Sequence, residues 1–317
     1  MTVCVAAICE GDKVLGVSDR MITAGDIEFE PPRPKILPLT ASIVAMTSGD
    51  SSLQTEVLAN VAERIRARMA TDPARWWHVA EVAALHSRFY NEAKLVRAES
   101  SILAPLGLDH ASFLAKQREL APDLVQWIAK EMTNQPMPPM NTIFAGIDPA
   151  GPHVYVVRGA NVACQDSTGF AAIGIGDWHA ESSLMFQSYY PSFAAADSIM
   201  AVYTAKKRAE VAPGVGTQTD MFMIGPELGS FVTVHPGILD RIEHIYREIQ
   251  SRTAMVAEES REQTREFVTE LIASARNAAS TSNQEPPERD DVARVGAAKK
   301  PRDGALRRDE ARKAETR

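Results

Sequence analysis

Thr2-Val3-Cys4-Val5-Ala6-Ala7-Ile8-Cys9 is almost wholly apolar and β-branched at several positions, which reads as a buried β-strand. A strand would hold its first residue rigidly, as a reacting group must be held. Thr2 follows Met1 directly. A methionine ahead of a small residue is normally trimmed during synthesis, and trimming here would leave a threonine with a free α-amine. That one residue would carry both a hydroxyl nucleophile and an adjacent base. The plainer reading is an ordinary first strand whose threonine is incidental.

Working outward, Glu10-Gly11-Asp12 is a hairpin turn into a second apolar strand, 13–19. A polar, proline-containing loop is expected to about residue 34. A second hairpin follows, Lys35-Ile36-Leu37 with 41–47 around Pro38-Leu39-Thr40, and Gly49 ends it. From residue 51 the period becomes helical, with Leu53, Val57, Leu58, Val61 and Ile65 on one face. Further helices are expected over about 74–100 and over 108–132, the latter broken at Pro122. Strands return at 141–147, 153–158 and 170–173, with Gly174-Ile175-Gly176 after them. Helices are expected at about 177–189 and 193–210, a late strand pair at 221–224 and 231–234, and a long charged helix from Pro236 to about 278. Residues 280–317 lack apolar periodicity and read as a disordered charged tail. Sheet blocks followed by amphipathic helices predict an α+β fold with two stacked sheets and helices outside both.

At 317 residues the chain can bury a full core, and its 45% hydrophobic and 24% charged residues are those of a globular protein. A net charge of −7 argues against nucleic acid as a partner, because neutralising phosphates needs a basic face. Cys4, Cys9 and Cys164 are odd in number and lack metal-ligand spacing, so they read as reduced core residues. The start of the chain lacks the basic region of a signal peptide, and no run approaches the roughly 18 apolar residues of a membrane span. The expectation is a cytoplasmic protein, with no membrane partner and no cofactor.

Thr2, Asp19, Lys35 and Gly49 form an ordered set that resembles the working groups of proteasome β-subunit-like N-terminal-nucleophile hydrolases. Val14-Leu15-Gly16-Val17-Ser18-Asp19-Arg20 is similar to that family's second strand and its aspartate. Lys35-Ile36 is similar to its lysine strand, and Ala45-Met46-Thr47-Ser48-Gly49-Asp50 to its strand and glycine turn. Asp19 and Lys35 are 16 positions apart, and Lys35 and Gly49 are 14 apart, both as in the family. Only the Thr2–Asp19 interval is one residue longer. Residues 144–149 with 153–156 resemble the central hairpin, and Gly174-Ile175-Gly176 the Gly-x-Gly turn. Thr2-Val3-Cys4-Val5 and Ser18-Asp19 with Thr23-Ala24-Gly25 look closest to the bacterial ancestral-β-subunit branch. The resemblance covers roughly 2–72 and 141–234, leaving out a helical insertion over about 98–135 in a domain spanning 1–279.

The resemblance implies a four-layer αββα sandwich and a threonine peptidase acting on unfolded proteins or peptides inside an oligomer. It implies self-association into a ring or spiral, and an ATP-dependent unfoldase as a candidate partner. Thr2 would be the nucleophile and its α-amine, with a reference pKa of about 7.7–8.0, the general base. Lys35 would stabilise the alkoxide, Asp19 would orient Lys35, and the Gly49 N–H would receive the oxyanion. Where the family has a serine after the Gly-x-Gly turn, this chain has Asp177, which reads as a helix N-cap that could also hold the Thr2 ammonium. A later aspartate and serine would map to Glu210 and Pro213, and proline offers no hydroxyl. These departures support an alternative, a proteasome-like subunit that assembles without cleaving.

Other readings are weaker. Gly49-Asp50-Ser51-Ser52 matches a GDS esterase motif, but its partners Asp240 and His244 fall in a helical stretch, and Ser51 reads as a helix start. His78, His86 and His179 do not have metal-site spacing. Gly174-Ile175-Gly176 lacks the third glycine and the acidic partner of a dinucleotide site.

Overall fold

The computed structural model describes residues 2–24, 27–32 and 34–282. Among the described residues, four strands come first: β1 (Val3–Cys9), β2 (Lys13–Ser18), β3 (Ile22–Ala24) and β4 (Ile27–Phe29). Then come β5 (Ile36–Pro38), β6 (Ile43–Gly49), and helices α1 (Ser51–Thr71), α2 (Val79–Ala98), α3 (His110–Lys116) and α4 (Pro122–Asn134). Strands β7 (Met140–Asp148), β8 (Gly151–Arg158), β9 (Asn161–Cys164) and β10 (Phe170–Gly174) lead to α5 (Asp177–Phe186) and α6 (Ala195–Ala209). Strands β11 (Asp220–Ile224) and β12 (Val232–Thr233) precede α7 (Pro236–Ser282).

The fold is mixed α/β with antiparallel sheets. One runs β10-β1-β2-β11-β12, another β5-β6-β7-β8-β9, and β3 pairs with β4 alone. Alternation along β1 explains its unbroken apolar sequence. Val3, Val5 and Ala7 pack with α5, α6 and the first turns of α7, through Leu184, Val202 and Ile242. Cys4, Ala6 and Ile8 face the other way and meet Val44, Met46, Ile143 and Val156 of the second sheet. Both faces of the strand are buried, so no polar position alternates. The second sheet's other face, through Ile43, Ala45 and Phe144, packs on Leu58, Val61, Ile65 and Val82 of α1 and α2. Each fully buried Val, Leu or Ile contributes about 1.5–3 kcal/mol of transfer free energy.

Several expectations need correction. The loop to residue 34 contains the β3–β4 hairpin, whose three-residue strands are too short to show a period. Its turn, Gly25-Asp26, lies outside the described residues. Helix α2 begins at Val79, not near 74, because His78 caps it and Glu81 closes a capping box. The expected break at Pro122 is present: α3 ends at Lys116 and Pro122 opens α4 at the first helical position, where its missing N–H costs no bond. Strand β9, fully exposed at the sheet edge, was not anticipated. The 98–135 segment has its own small core of Leu103, Phe113 and Ile128.

The chain divides into two compact units, Met1–Thr253 and Ala254–Arg317. The described part of the second unit is helical, and the expected tail falls, from residue 283 on, outside the described residues. No described helix is long and apolar enough to cross a membrane.

His86 is fully buried, bonds Thr142 Oγ1 at 3.2 Å and packs edge-on against Phe144. Burial pushes its pKa down to about 4. The folded state therefore resists a proton that the unfolded chain accepts. This contribution to stability is complete above the ordinary value of about 6.5 and is lost as pH falls towards 4, by about 3 kcal/mol at pH 4. Urea unfolding at pH 7 and pH 4 should show a His86→Gln variant losing about that much less than the parent. Cys4 and Cys9 are buried and Cys164 is exposed. Titration of the folded protein with a thiol reagent should count a single reacting cysteine, rising to three in denaturant.

Candidate active site

The β1–β2 register sets the site. Cys4 lies opposite Ser18, so the residue that follows β2, Asp19, meets the start of β1. Its backbone N–H donates to Val3 O at 3.2 Å. The Asp19 carboxylate is completely buried and accepts from five donors. Oδ1 takes Thr2 Oγ1 at 2.5 Å, Val3 N at 3.0 Å and Lys35 Nζ at 2.8 Å. Oδ2 takes Met21 N at 3.0 Å and Gly216 N at 2.9 Å. Lys35, just before β5, also donates from Nζ to Thr2 Oγ1. Thr2, Asp19 and Lys35 thus form a closed triangle of hydrogen bonds, with Thr2 only 3% exposed.

A cavity of about 210 Å³ opens on this triangle, lined by Thr2, Lys35, Met21, Ser48, Gly49 and Gln54 among others. Gly49 is placed there by sheet geometry. Asp50 N donates to Pro139 O at 2.8 Å, which makes that pair a bonded one. Antiparallel alternation then leaves the neighbouring Gly49–Met140 pair unbonded and turns the Gly49 N–H away from β7. On that side β5 begins only opposite Met46. Gly49 has φ +107°, and a Cβ there would lie 2.0 Å from Pro139 O. The residue must be glycine for the strand to end as it does.

Asp177 is not brought into the cluster. It is the first residue of α5 rather than its cap, which is Gly176. Its carboxylate lies 3.7 Å from Arg158 Nη1. What reaches Thr2 from this turn is backbone: Gly176 N donates to Thr2 O at 3.4 Å, and a Cβ on Gly174 would lie 2.1 Å from that oxygen. Glu210 is also engaged elsewhere, by Lys206 at 2.6 Å and Lys207 at 2.9 Å. Asp50 and Ser51 are the cap and first residue of α1, with Asp50 Oδ1 accepting from Leu53 N, so the GDS motif is a helix start.

Sequence reasoning missed Lys206 and Gly216. Lys206 is fully buried, and burial lowers its pKa, opposed by Glu210. Its Nζ donates to Thr217 O at 2.9 Å, fixing the segment whose Gly216 N–H holds Asp19. Cys4, under Thr2, keeps its proton: burial pushes its thiol up to about 12 against the pull of the Lys35 charge. A larger cavity of about 400 Å³ contains Arg20, Lys207 and Arg247, each paired with an acid.

Replacing Lys206 with alanine removes the donor to Thr217 O and one of the two lysines on Glu210, and leaves a void where its buried stem packs. Denaturant unfolding should show a loss of about 2 kcal/mol. Comparison of the sequence with protein-family models and with curated proteins finds no match.

Proposed function

We propose that the protein is an N-terminal-nucleophile amide hydrolase, a threonine peptidase acting on polypeptides or peptides once Met1 is removed. The observation that carries this reading is the Thr2–Asp19–Lys35 triangle at the mouth of a cavity that also holds Gly49. The packing of α5 and α6 on one sheet, that sheet on the other, and α1 and α2 beyond it supports the four-layer αββα arrangement of that class.

In the proposed reaction, the Thr2 hydroxyl proton passes to the neutral α-amine while Oγ1 attacks the amide carbon. The hydroxyl proton starts in its bond to Asp19 Oδ1 and turns to the α-amine as Oγ1 attacks, while Asp19 keeps its four other donors. The Lys35 ammonium faces the developing charge on Oγ1, and the Gly49 N–H faces the carbonyl oxygen. The leaving amine takes the proton as the C–N bond breaks, and water hydrolyses the ester on Thr2. Unpaired cysteines support a reduced, cytoplasmic setting. The exposed Trp178, Met185 and Phe186 of α5 support self-association into a ring or spiral.

A second reading is an assembly subunit without chemistry. It is favoured by Asp177 lying 3.7 Å from Arg158 and Glu210 being bonded to Lys206, with neither bonded to Thr2 among the described residues. Two measurements separate the readings. Intact mass should show a chain beginning at Thr2. A Thr2→Ala variant should lose turnover of fluorogenic peptides by about 10³-fold or more while assembling like the parent. Retained Met1, or unchanged turnover in the variant, would sink the hydrolase.

A further inference from the structure

We infer that Ser48 is a further catalytic residue, whose hydroxyl donates to the carbonyl oxygen that becomes the oxyanion, beside the Gly49 N–H. The inference rests on the hydrolase reading above.

Strand alternation aims the side chain. On β6, Val44 and Met46 belong to the core between the two sheets, with Cys4 of β1. Ser48 continues that face, towards the layer where Thr2 stands. Thr47, on the opposite face, has its hydroxyl bonded to Gln54 Oε1 of α1 at 2.8 Å. Ser48 Oγ has no such outlet. The residue is 5% exposed, and the oxygen finds no hydrogen-bond partner among the described residues.

A buried hydroxyl without a partner destabilises a fold, and such groups in native proteins call for a functional explanation. Ser18 Oγ is the other unpartnered serine hydroxyl of this kind, but it does not line the cavity. Ser48 does, together with Thr2, Lys35 and Gly49. Ser48 Oγ is only four covalent bonds from the Gly49 nitrogen, so both donors stand beside the same part of the cavity. In the proposed geometry one carbonyl oxygen accepts from both.

That oxygen appears during attack. As the bond from Thr2 Oγ1 to the amide carbon forms, the carbonyl π pair moves onto oxygen and the hydroxyl proton goes to the α-amine. As the C–N bond breaks, the carbonyl re-forms and the amine leaves with that proton. A donor waiting at the oxygen stabilises the charge only while it exists, and so acts on kcat rather than KM.

The experiment uses the full chain and its Ser48→Ala variant. Peptide turnover, affinity for a peptide boronate that forms a tetrahedral adduct on Thr2, and the thermal midpoint are measured. Expected are a kcat lower by about 10²-fold with KM within about twofold, and a parallel loss of boronate affinity. The midpoint should be unchanged or higher, because the substitution removes an unsatisfied buried group. Unchanged kcat and boronate affinity would overturn the inference, as would a lowered midpoint, which would reveal a structural partner for the hydroxyl. If the parent forms no boronate adduct on Thr2, the hydrolase reading falls and this inference with it. An adduct that forms equally well on the variant removes this inference alone.

Discussion

The buried carboxylate of Asp19 is the interaction on which the site depends. An ion with no access to water must have its lone pairs filled by donors, or it destabilises the fold by several kcal/mol. Asp19 meets that demand with groups from four separate places: the start of β1, its own turn at Met21, Lys35 ahead of β5, and Gly216 after α6. Lys35 comes from the chain entering one sheet, and the other donors belong to the chain around the other. The charge therefore ties the two sheets at one end, and Thr2 is oriented as a by-product of satisfying it. Lys206 extends the same logic one step outward, since its ammonium fixes the Thr217 carbonyl beside Gly216.

How much of this was readable depended on whether local pattern or distant contact decided the outcome. Strand β1 was legible because burial on both faces forces an unbroken apolar run. Helix α1 was legible because Leu53, Val57, Leu58, Val61 and Ile65 repeat at helical spacing, and all five are buried. The conjunction of Thr2, Asp19 and Lys35 came from a resemblance. The β3–β4 hairpin and β9 escaped, the first for its three-residue strands and the second for its full exposure. Lys206 escaped for a different reason. It stands in the run Lys206-Lys207-Arg208, which reads as a solvated basic helix end, yet it shares a face with Val202 and Ala209, both buried.

Asp177 and Gly174 show the same division. Asp177 is charged and follows a glycine turn, but its carboxylate is turned to Arg158. Gly174 does the positioning instead, by having no side chain where the Thr2 carbonyl passes. A requirement for empty space leaves no trace in periodicity or charge. It becomes visible only once the neighbour's coordinates are known.

Thr2 is almost wholly enclosed and stands at the head of a strand hydrogen-bonded on both sides. That arrangement has a practical consequence for anyone making the protein. In the proposed hydrolase, an affinity tag or fusion partner joined to the Thr2 nitrogen would compete for the small cavity that Thr2 lines, and would put an amide with no basic lone pair where the proposed base stands. Handles for purification or immobilisation therefore belong at the far end of the chain, beyond α7.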